Sequence, residues 1–130
     1  MDWSDMRHFA PEEFACRCGT CGSDGHEMDI AFVQALDNIR ERLGFPLIVT
    51  SGYRCPAYNS QVSTTGRDGP HTTGRAVDLL VSGARAHALI TEAQLGMTGI
   101  GINQKGSHGQ RFIHLDNLKA PRPRPNVWSY

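Results

Sequence analysis

The longest regular pattern of apolar positions in the chain lies between Met28 and Leu43. Phe32, Leu36 and Ile39 recur within it three or four residues apart, a spacing that places them on one face of an α-helix. Asp29 lies near its start, where a negative charge suits the helix dipole, and Gly44 follows its last turn. The pattern therefore predicts a helix over residues 28–43.

Four shorter segments have the β-branched and apolar composition of strands, and they cover residues 46–50, 75–81, 99–102 and 111–115. Between the second and third strands, residues 84–95 predict a shorter helix. The connecting residues predict one helical turn after Pro56, a polar loop over residues 60–70 and a turn over residues 103–109. This order predicts an α+β domain with helices on one face of a small, mainly antiparallel sheet.

The two ends of the chain lack a sustained period. Residues 1–25 are rich in turn formers and predict an N-terminal arm, with Phe9 and Phe14 as its anchors in the core. Residues 119–130 begin with a Pro/Arg-rich stretch, which predicts an extended segment on the surface. With 130 residues in all, we expect a single domain covering residues 1–130.

Composition excludes several classes of partner. The formal net charge is +0 and the pI is about 7.0, so we expect neither nucleic acid nor an anionic membrane as a partner. The N-terminus lacks the basic start and apolar stretch of a signal peptide. We therefore expect a protein that is made in the cytoplasm without a signal peptide. Nothing in the sequence indicates more than a monomer.

Three of the four cysteines, Cys16, Cys18 and Cys21, lie close together, and the fourth is Cys55. Their even number permits two disulfides. Their spacing also suits a small structural metal site that either Cys55 or His26 completes. Reduced thiols in a glycine-rich turn are the third interpretation, and the spacing alone does not choose among the three.

The chemistry of the chain is concentrated in two segments, residues 69–78 and residues 112–116. Asp78 lies in an apolar strand, where burial of a carboxylate is costly without a partner. His114 and Asp116 are two apart on a predicted strand and therefore face the same side. Together with His71, Asp78 and His114 offer two imidazoles and one carboxylate, a set that leaves one position open in a catalytic zinc site. From spacing alone, ordinary surface residues of a loop are the alternative.

Three segments resemble those of one family. Residues 71–78, HTTGRAVD, resemble the His-x-x-Gly-x-Ala-x-Asp signature of the zinc D-Ala-D-Ala carboxypeptidases and related peptidoglycan peptidases, the M15 peptidase group. Residues 51–59, SGYRCPAYN, and residues 112–116, FIHLD, are similar to two further motifs of that group. The motifs occur in family order, and the similarity covers residues 9–116. It implies the metal-site fold that the group shares with the hedgehog signalling domain and the penicillin-insensitive murein endopeptidases.

The resemblance also implies roles for particular residues. His71, Asp78 and His114 would bind one catalytic Zn²⁺ ion. Arg54 would hold a carboxylate of the peptide substrate with its planar fork of donors, although a purely structural salt bridge is the alternative. Asp116 would act as the general base, or would instead hold an imidazole in place.

His108 is a candidate for stabilising the oxyanion, with an ordinary loop histidine as the alternative. His8, His26 and His87 are interpreted as surface or packing residues.

Two positions depart from the family pattern. Gly69 stands where many relatives have a serine that contacts the substrate. Arg111 stands where many relatives have the Glu or Asp that serves as the general base. Either Asp116 takes over this role, or activity is altered or lost.

The predicted function is hydrolysis of amide bonds in the D-amino-acid-containing stem or cross-link peptides of peptidoglycan, by a carboxypeptidase or an endopeptidase. A phage endolysin released by a holin, a lytic component of a phage tail and a bacterial enzyme of the cell wall or periplasm all fit. Because of Arg111, a non-catalytic module that binds the cell wall or serves as a structural part of a phage particle is the alternative. A redox or interaction protein built on the cysteines is a third.

Overall fold

A computed structural model describes residues 2–130 of the chain. The described residues form three α-helices: α1 (Ile30–Leu43), α2 (Pro56–Val62) and α3 (Gly83–Ala93). Five strands accompany them: β1 (Ile48–Ser51), β2 (Ala76–Leu80), β3 (Gly99–Asn103), β4 (Phe112–Asp116) and β5 (Asn126–Ser129). Short 3₁₀-helices cover Trp3–Asp5, Pro11–Phe14, Pro70–Thr73 and His108–Gln110.

The strands form one sheet in the order β1-β2-β4-β3-β5. Every neighbouring pair is antiparallel except β3 and β5, which run parallel. The predicted α+β fold with a small, mainly antiparallel sheet is therefore confirmed.

Helix α1 forms where the apolar period predicts it. The Asp29 carboxylate accepts a hydrogen bond from the Ala31 amide at 3.1 Å and so caps the first turn. Phe32, Leu36 and Ile39 are all buried. Their side chains join the main hydrophobic core, which stabilises the helix more than local propensity does.

The core lies on one face of the sheet. Val77 and Leu79 of β2 and Ile113 and Leu115 of β4 point into it, and each is fully buried. Helices α1 and α3 supply the other side of this core. Because side chains alternate along a strand, the residues between these positions project from the opposite face, which carries the polar site.

Helix α2 lies apart from this helical layer, against the 3₁₀-helix Pro70–Thr73. The sequence predicts only one helical turn here, followed by a loop from residue 60. The helix in fact continues to Val62, because Pro56 begins it and the Ser63 amide closes it on the Asn59 carbonyl at 2.9 Å.

The C-terminal segment differs most from its prediction, because residues 126–129 form β5 rather than an extended surface segment. The Asn126 amide donates to the Thr98 carbonyl at 2.8 Å and starts the pairing with β3. A four-residue strand preceded by three prolines has little local signal, and its conformation depends on a pairing partner that is distant in sequence. Within residues 2–130, no helix has the length and apolar character needed to cross a bilayer.

Candidate metal centre

Sheet register places the polar residues of different strands in one row. Asp78 of β2 lies opposite His114 of β4, and His114 lies opposite Gly101 of β3. Gly101 is in turn the register partner of Trp128 on β5. Since directly opposed residues share a face of the sheet, the row brings carboxylate, imidazole and indole together.

His71 reaches the row from the 3₁₀-helix Pro70–Thr73. Its ring Nδ1 lies 2.8 Å from the Gly52 carbonyl oxygen, to which it donates. The other ring nitrogen, Nε2, therefore faces Asp78, at 3.3 Å from Oδ1. Gly74 ends this 3₁₀-helix where a Cβ atom would overlap the Glu27 carbonyl oxygen, so the motif needs a glycine for close backbone packing.

His71, Asp78 and His114 form a compact set of donors. One ligand atom from each lies within 4.8 Å of the others. The residues are 5%, 7% and 2% exposed, respectively. Two imidazole nitrogens and one carboxylate oxygen in a buried cluster suit a divalent transition-metal ion, and the donor set therefore fits the predicted metal.

The electrostatics of the metal-free cluster follow from these contacts. Burial raises the pKa of Asp78, but hydrogen bonds with His114 and His71 outweigh it and hold that pKa well below its ordinary value. Burial lowers the pKa of His114, whereas hydrogen bonds with Asp116 and Asp78 raise it above its ordinary value. These contacts favour positive charge at His114, so a metal would bind there in competition with a proton.

Asp116 contacts the far side of the His114 ring. Its Oδ2 atom lies 2.8 Å from Nε2, while Nδ1 on the other side of the ring lies 3.0 Å from Oδ1 of Asp78. This arrangement leaves Nδ1 as the metal-facing atom and makes Asp116 the acceptor for Nε2–H. The geometry favours the second of the two roles considered for Asp116, in which it holds the imidazole in place.

Arg124 completes the support of Asp116. Its Nε and one terminal nitrogen donate to the two carboxylate oxygens at 2.9 and 2.8 Å, a bidentate pair. Its guanidinium carbon also lies 4.9 Å from the centre of the Trp128 ring. Burial raises the pKa of Asp116, but His114 and Arg124 outweigh it and hold that pKa well below its ordinary value.

Arg54 is partly engaged within the protein. It donates from Nε to the Ser51 hydroxyl at 3.0 Å and from Nη1 to the Asn59 side-chain oxygen at 3.1 Å. Its Nη2 lies 3.5 Å from Oδ2 of Asp78. A guanidinium has five N–H donors, so about two remain for another group. Arg54 thus has both a structural ion pair and donors to spare.

The cluster opens into a cavity of about 610 Å³. Its floor includes His71, Asp78, His114 and Arg54. The remaining lining comes from the end of α2 and the loop after it, from Pro70 and Phe112, and from the C-terminal segment: Val62, Ser63, Thr64, Thr65, Pro70, Phe112, Arg124, Asn126, Trp128, Ser129 and Tyr130. Among residues 2–130, Asp78 is the only acidic side chain in this lining.

Three residues singled out in the sequence have other surroundings. His108 is exposed and lies outside the cavity lining, so the geometry gives no support to an oxyanion role. Arg111 donates to the Gly106 carbonyl at 3.0 Å. At Gly69, a Cβ atom would overlap the Thr65 hydroxyl, and Thr65 thus fills the space that a serine at position 69 would need.

The sequence analysis missed Arg124, Trp128 and Tyr130, which all lie in the segment predicted to cross the surface. Tyr130 packs its ring 4.9 Å from that of Phe112, and burial raises the pKa of its phenol. The local signal that a strand follows Pro125 is the sequence Asn-Val-Trp-Ser, which contains two residue types favoured in strands.

A family model described as Peptidase M15 matches residues 7–116. A comparison with curated proteins gave no match. The family match covers most of the chain, including both segments that supply the His and Asp donors. The geometry of the donors fits the metal dependence that is typical of this family. The chain belongs to the M15 peptidase family.

Proposed function

We propose that the protein is a zinc peptidase that hydrolyses amide bonds in the D-amino-acid-containing peptides of peptidoglycan. The observation that carries this proposal is the set of three buried donors at the floor of an open cavity. A structural zinc site has four protein ligands, whereas three ligands leave room for a reacting group. The peptidoglycan substrate rests on the resemblance of the three sequence motifs.

His71, Asp78 and His114 would hold the ion through Nε2, a carboxylate oxygen and Nδ1. When bound, Zn²⁺ supplies Lewis acidity, which polarises a carbonyl group and makes a water molecule more acidic. The protein's own contribution is to fix the donors. The Gly52 carbonyl orients His71, and Asp116 orients His114, so neither ring has to reorganise.

Arg54 provides positive charge at the floor of the cavity. Its spare N–H donors face a space that is large enough for part of a peptide, and a peptide carboxylate is their natural partner. Trp128 and Tyr130 form an aromatic wall beside it. Arg54 and this wall together would bind and orient the peptide. Holding the peptide in a fixed orientation lowers the entropic part of the reaction barrier.

Asp116 has a role that one substitution can resolve. In Asp116→Asn the side-chain oxygen still accepts from His114 Nε2–H, but the group no longer accepts a proton. If Asp116 holds the imidazole, hydrolysis falls by roughly 10- to 100-fold together with metal affinity. A complete loss of hydrolysis with metal affinity unchanged would instead assign Asp116 as the base.

A second function is favoured by one observation. In the described residues, the only acidic side chain lining the cavity is that of Asp78, a metal donor itself, and Arg111 occupies the position of the usual base. A module that binds the cell wall, or a structural part of a phage particle, would need no proton acceptor there. Such a module would bind zinc and peptidoglycan without releasing soluble products.

The deciding experiment is mass spectrometry of the soluble products released from purified peptidoglycan sacculi. We expect release that stops with a chelator and returns with Zn²⁺, and the product masses will identify the bond. His71→Ala should lower the rate by more than about 100-fold, because it removes a ligand rather than a supporting contact. His87→Ala, which changes an exposed histidine of α3, is the matched control. Zinc binding without product release would favour the non-catalytic module.

A further inference from the structure

The four cysteines assemble at the junction between the N-terminal arm and α2. Cys16, Cys18 and Cys21 lie in the loop that follows the 3₁₀-helix Pro11–Phe14, and Cys55 caps the N-terminus of α2. Their four sulfur atoms all lie within 4.8 Å of one another. The sequence separation between the arm and Cys55 shows that this cluster is made by the tertiary fold.

The sulfur positions fit a single ion better than two cross-links. Tetrahedral coordination with Zn–S bonds of about 2.3 Å places neighbouring sulfurs about 3.8 Å apart. The Sγ atoms of Cys18 and Cys55 are 4.0 Å apart. Disulfides need pairs of sulfurs at about 2.05 Å, whereas here all four thiols are unpaired and their sulfur atoms lie within 4.8 Å of one another.

Backbone amides donate to the sulfurs, as expected around thiolates. The Cys55 amide donates to Sγ of Cys16 at 3.3 Å, and the Thr20 amide donates to Sγ of Cys18 at 3.4 Å. The Tyr58 amide donates to Sγ of Cys55 at 3.4 Å. Hydrogen bonds to a charged acceptor are stronger than neutral ones, so these contacts favour the deprotonated, metal-binding form.

The turns of the N-terminal arm also suit a metal site. Gly19 and Gly22 directly follow Cys18 and Cys21 and have φ angles of 75° and 78°. This left-handed conformation favours glycine. It lets the chain reverse after each cysteine, so that the next residues can bring their amides or sulfurs back to the centre.

We propose that Cys16, Cys18, Cys21 and Cys55 form a tetrathiolate site for a structural Zn²⁺ ion, distinct from the His/Asp centre. Soft thiolate ligands in tetrahedral geometry select zinc over hard cations. Four protein ligands close the coordination sphere, so this ion serves as a cross-link. His26, the alternative fourth ligand, is exposed and lies 3.2 Å from Asp24, outside the cluster.

The proposed ion would brace the segment around Arg54, whose substrate contact rests on the proposed function. Cys55 directly follows Arg54, and the Tyr53 amide donates to the Phe14 carbonyl at 2.8 Å. A metal at the cysteines would therefore fix the arm to the stretch that carries Arg54 and the Gly52 carbonyl. Loss of this ion is expected to loosen substrate binding without removing a donor from the His/Asp centre.

The test is Co²⁺ substitution of the full chain, prepared without oxygen and read by absorption spectroscopy. Thiolate ligands give an intense charge-transfer band in the near ultraviolet, whereas imidazole and carboxylate ligands do not. We expect the band in the wild-type protein and in His71→Ala, and its loss or marked weakening in Cys21→Ser. Absence of the band in a folded wild-type protein loaded with cobalt would overturn the proposal.

A second measurement covers the case in which Cys21→Ser fails to fold. Alkylation of the wild-type thiols, followed by mass spectrometry, should be slow with zinc present and fast for all four cysteines after chelation. Equal rates with and without zinc would contradict the site, as would two disulfides in protein prepared without oxygen. Neither measurement depends on peptidase activity, so failure of the proposed function would not affect the result.

Discussion

The two clusters of candidate ligands are built in opposite ways. Asp78 and His114 project from paired strands in the middle of the sheet, and each donor has a further protein contact that fixes it. The cysteines lie in the arm and at the start of α2, where backbone amides surround the sulfurs. The first set leaves a side open to a cavity, whereas the second surrounds its own centre.

The difference shows that a reacting metal site and a structural metal site need different numbers of ligands and different scaffolds. A reacting site needs donors that stay in place when one coordination position is empty, and the sheet provides that rigidity. A closed set of four sulfurs needs no such scaffold, since a bound ion would itself hold the loops together. Breaking the support of each cluster should therefore have different consequences.

The largest effect is expected from pH, because it acts on several groups of the His/Asp centre at once. The lowered pKa values of Asp78 and Asp116 give metal-free protein a stability that is present above the unfolded value of about 3.9. This stability is lost as the pH falls through the folded values. The raised pKa of His114 acts oppositely: its contribution is present below about pH 6.5 and is lost as the pH rises through the folded value.

Metal-free protein should therefore be most stable between these limits, as measured by urea unfolding at a series of pH values. A free energy of unfolding that does not change with pH would contradict a stabilising role for the buried charges. With zinc present, the same series should show its maximum stability at a higher pH, because the ion takes the place of a proton on His114.

Arg124→Ala tests the support behind the centre. The side chains of Arg124 and Asp116 are 7% and 0% exposed, so the change removes two charge-assisted hydrogen bonds from a buried carboxylate. We expect a loss of about 3–5 kcal/mol in the free energy of unfolding. Arg122→Ala is the matched control, since Arg122 pairs with an Asp68 side chain that is 91% exposed.

The control variant, Arg122→Ala, should lower the free energy of unfolding by at most about 1 kcal/mol. Chemical denaturation of both variants measures the difference. Equal losses would mean that Asp116 finds another partner and that the C-terminal segment contributes little to the centre.

A smaller effect is expected from Gly99→Ala. A Cβ atom at this position would overlap the Asp116 carboxylate, which must then leave its present position beside His114. We expect a loss of about 1–3 kcal/mol in stability and weaker metal binding. Gly96→Ala, where a Cβ atom meets no neighbour within 4 Å, is the control. Titration with a competing chelator measures the metal affinity, and unchanged affinity would separate Asp116 from the metal centre.

Much of the core and the donor set could be predicted from local sequence. Helix α1 follows from its apolar period, and Asp78 stands out because a carboxylate in an apolar strand needs a partner. Strand β5 and Arg124 could not be predicted in this way, because parallel pairing with β3 and the contact with Asp116 depend on distant parts of the chain. The contact between Cys55 and the N-terminal arm could not be predicted either, because it also joins distant parts of the chain.

The position of β5 has a consequence for motion. It is an edge strand that pairs with β3 alone, whereas β2 and β4, which carry Asp78 and His114, have neighbours on both sides. Edge segments open locally at a lower free energy than central strands. Amide hydrogen exchange should therefore be faster at Trp128 than at His114. We therefore expect the cavity wall at Trp128 to fluctuate more than the strands that carry Asp78 and His114.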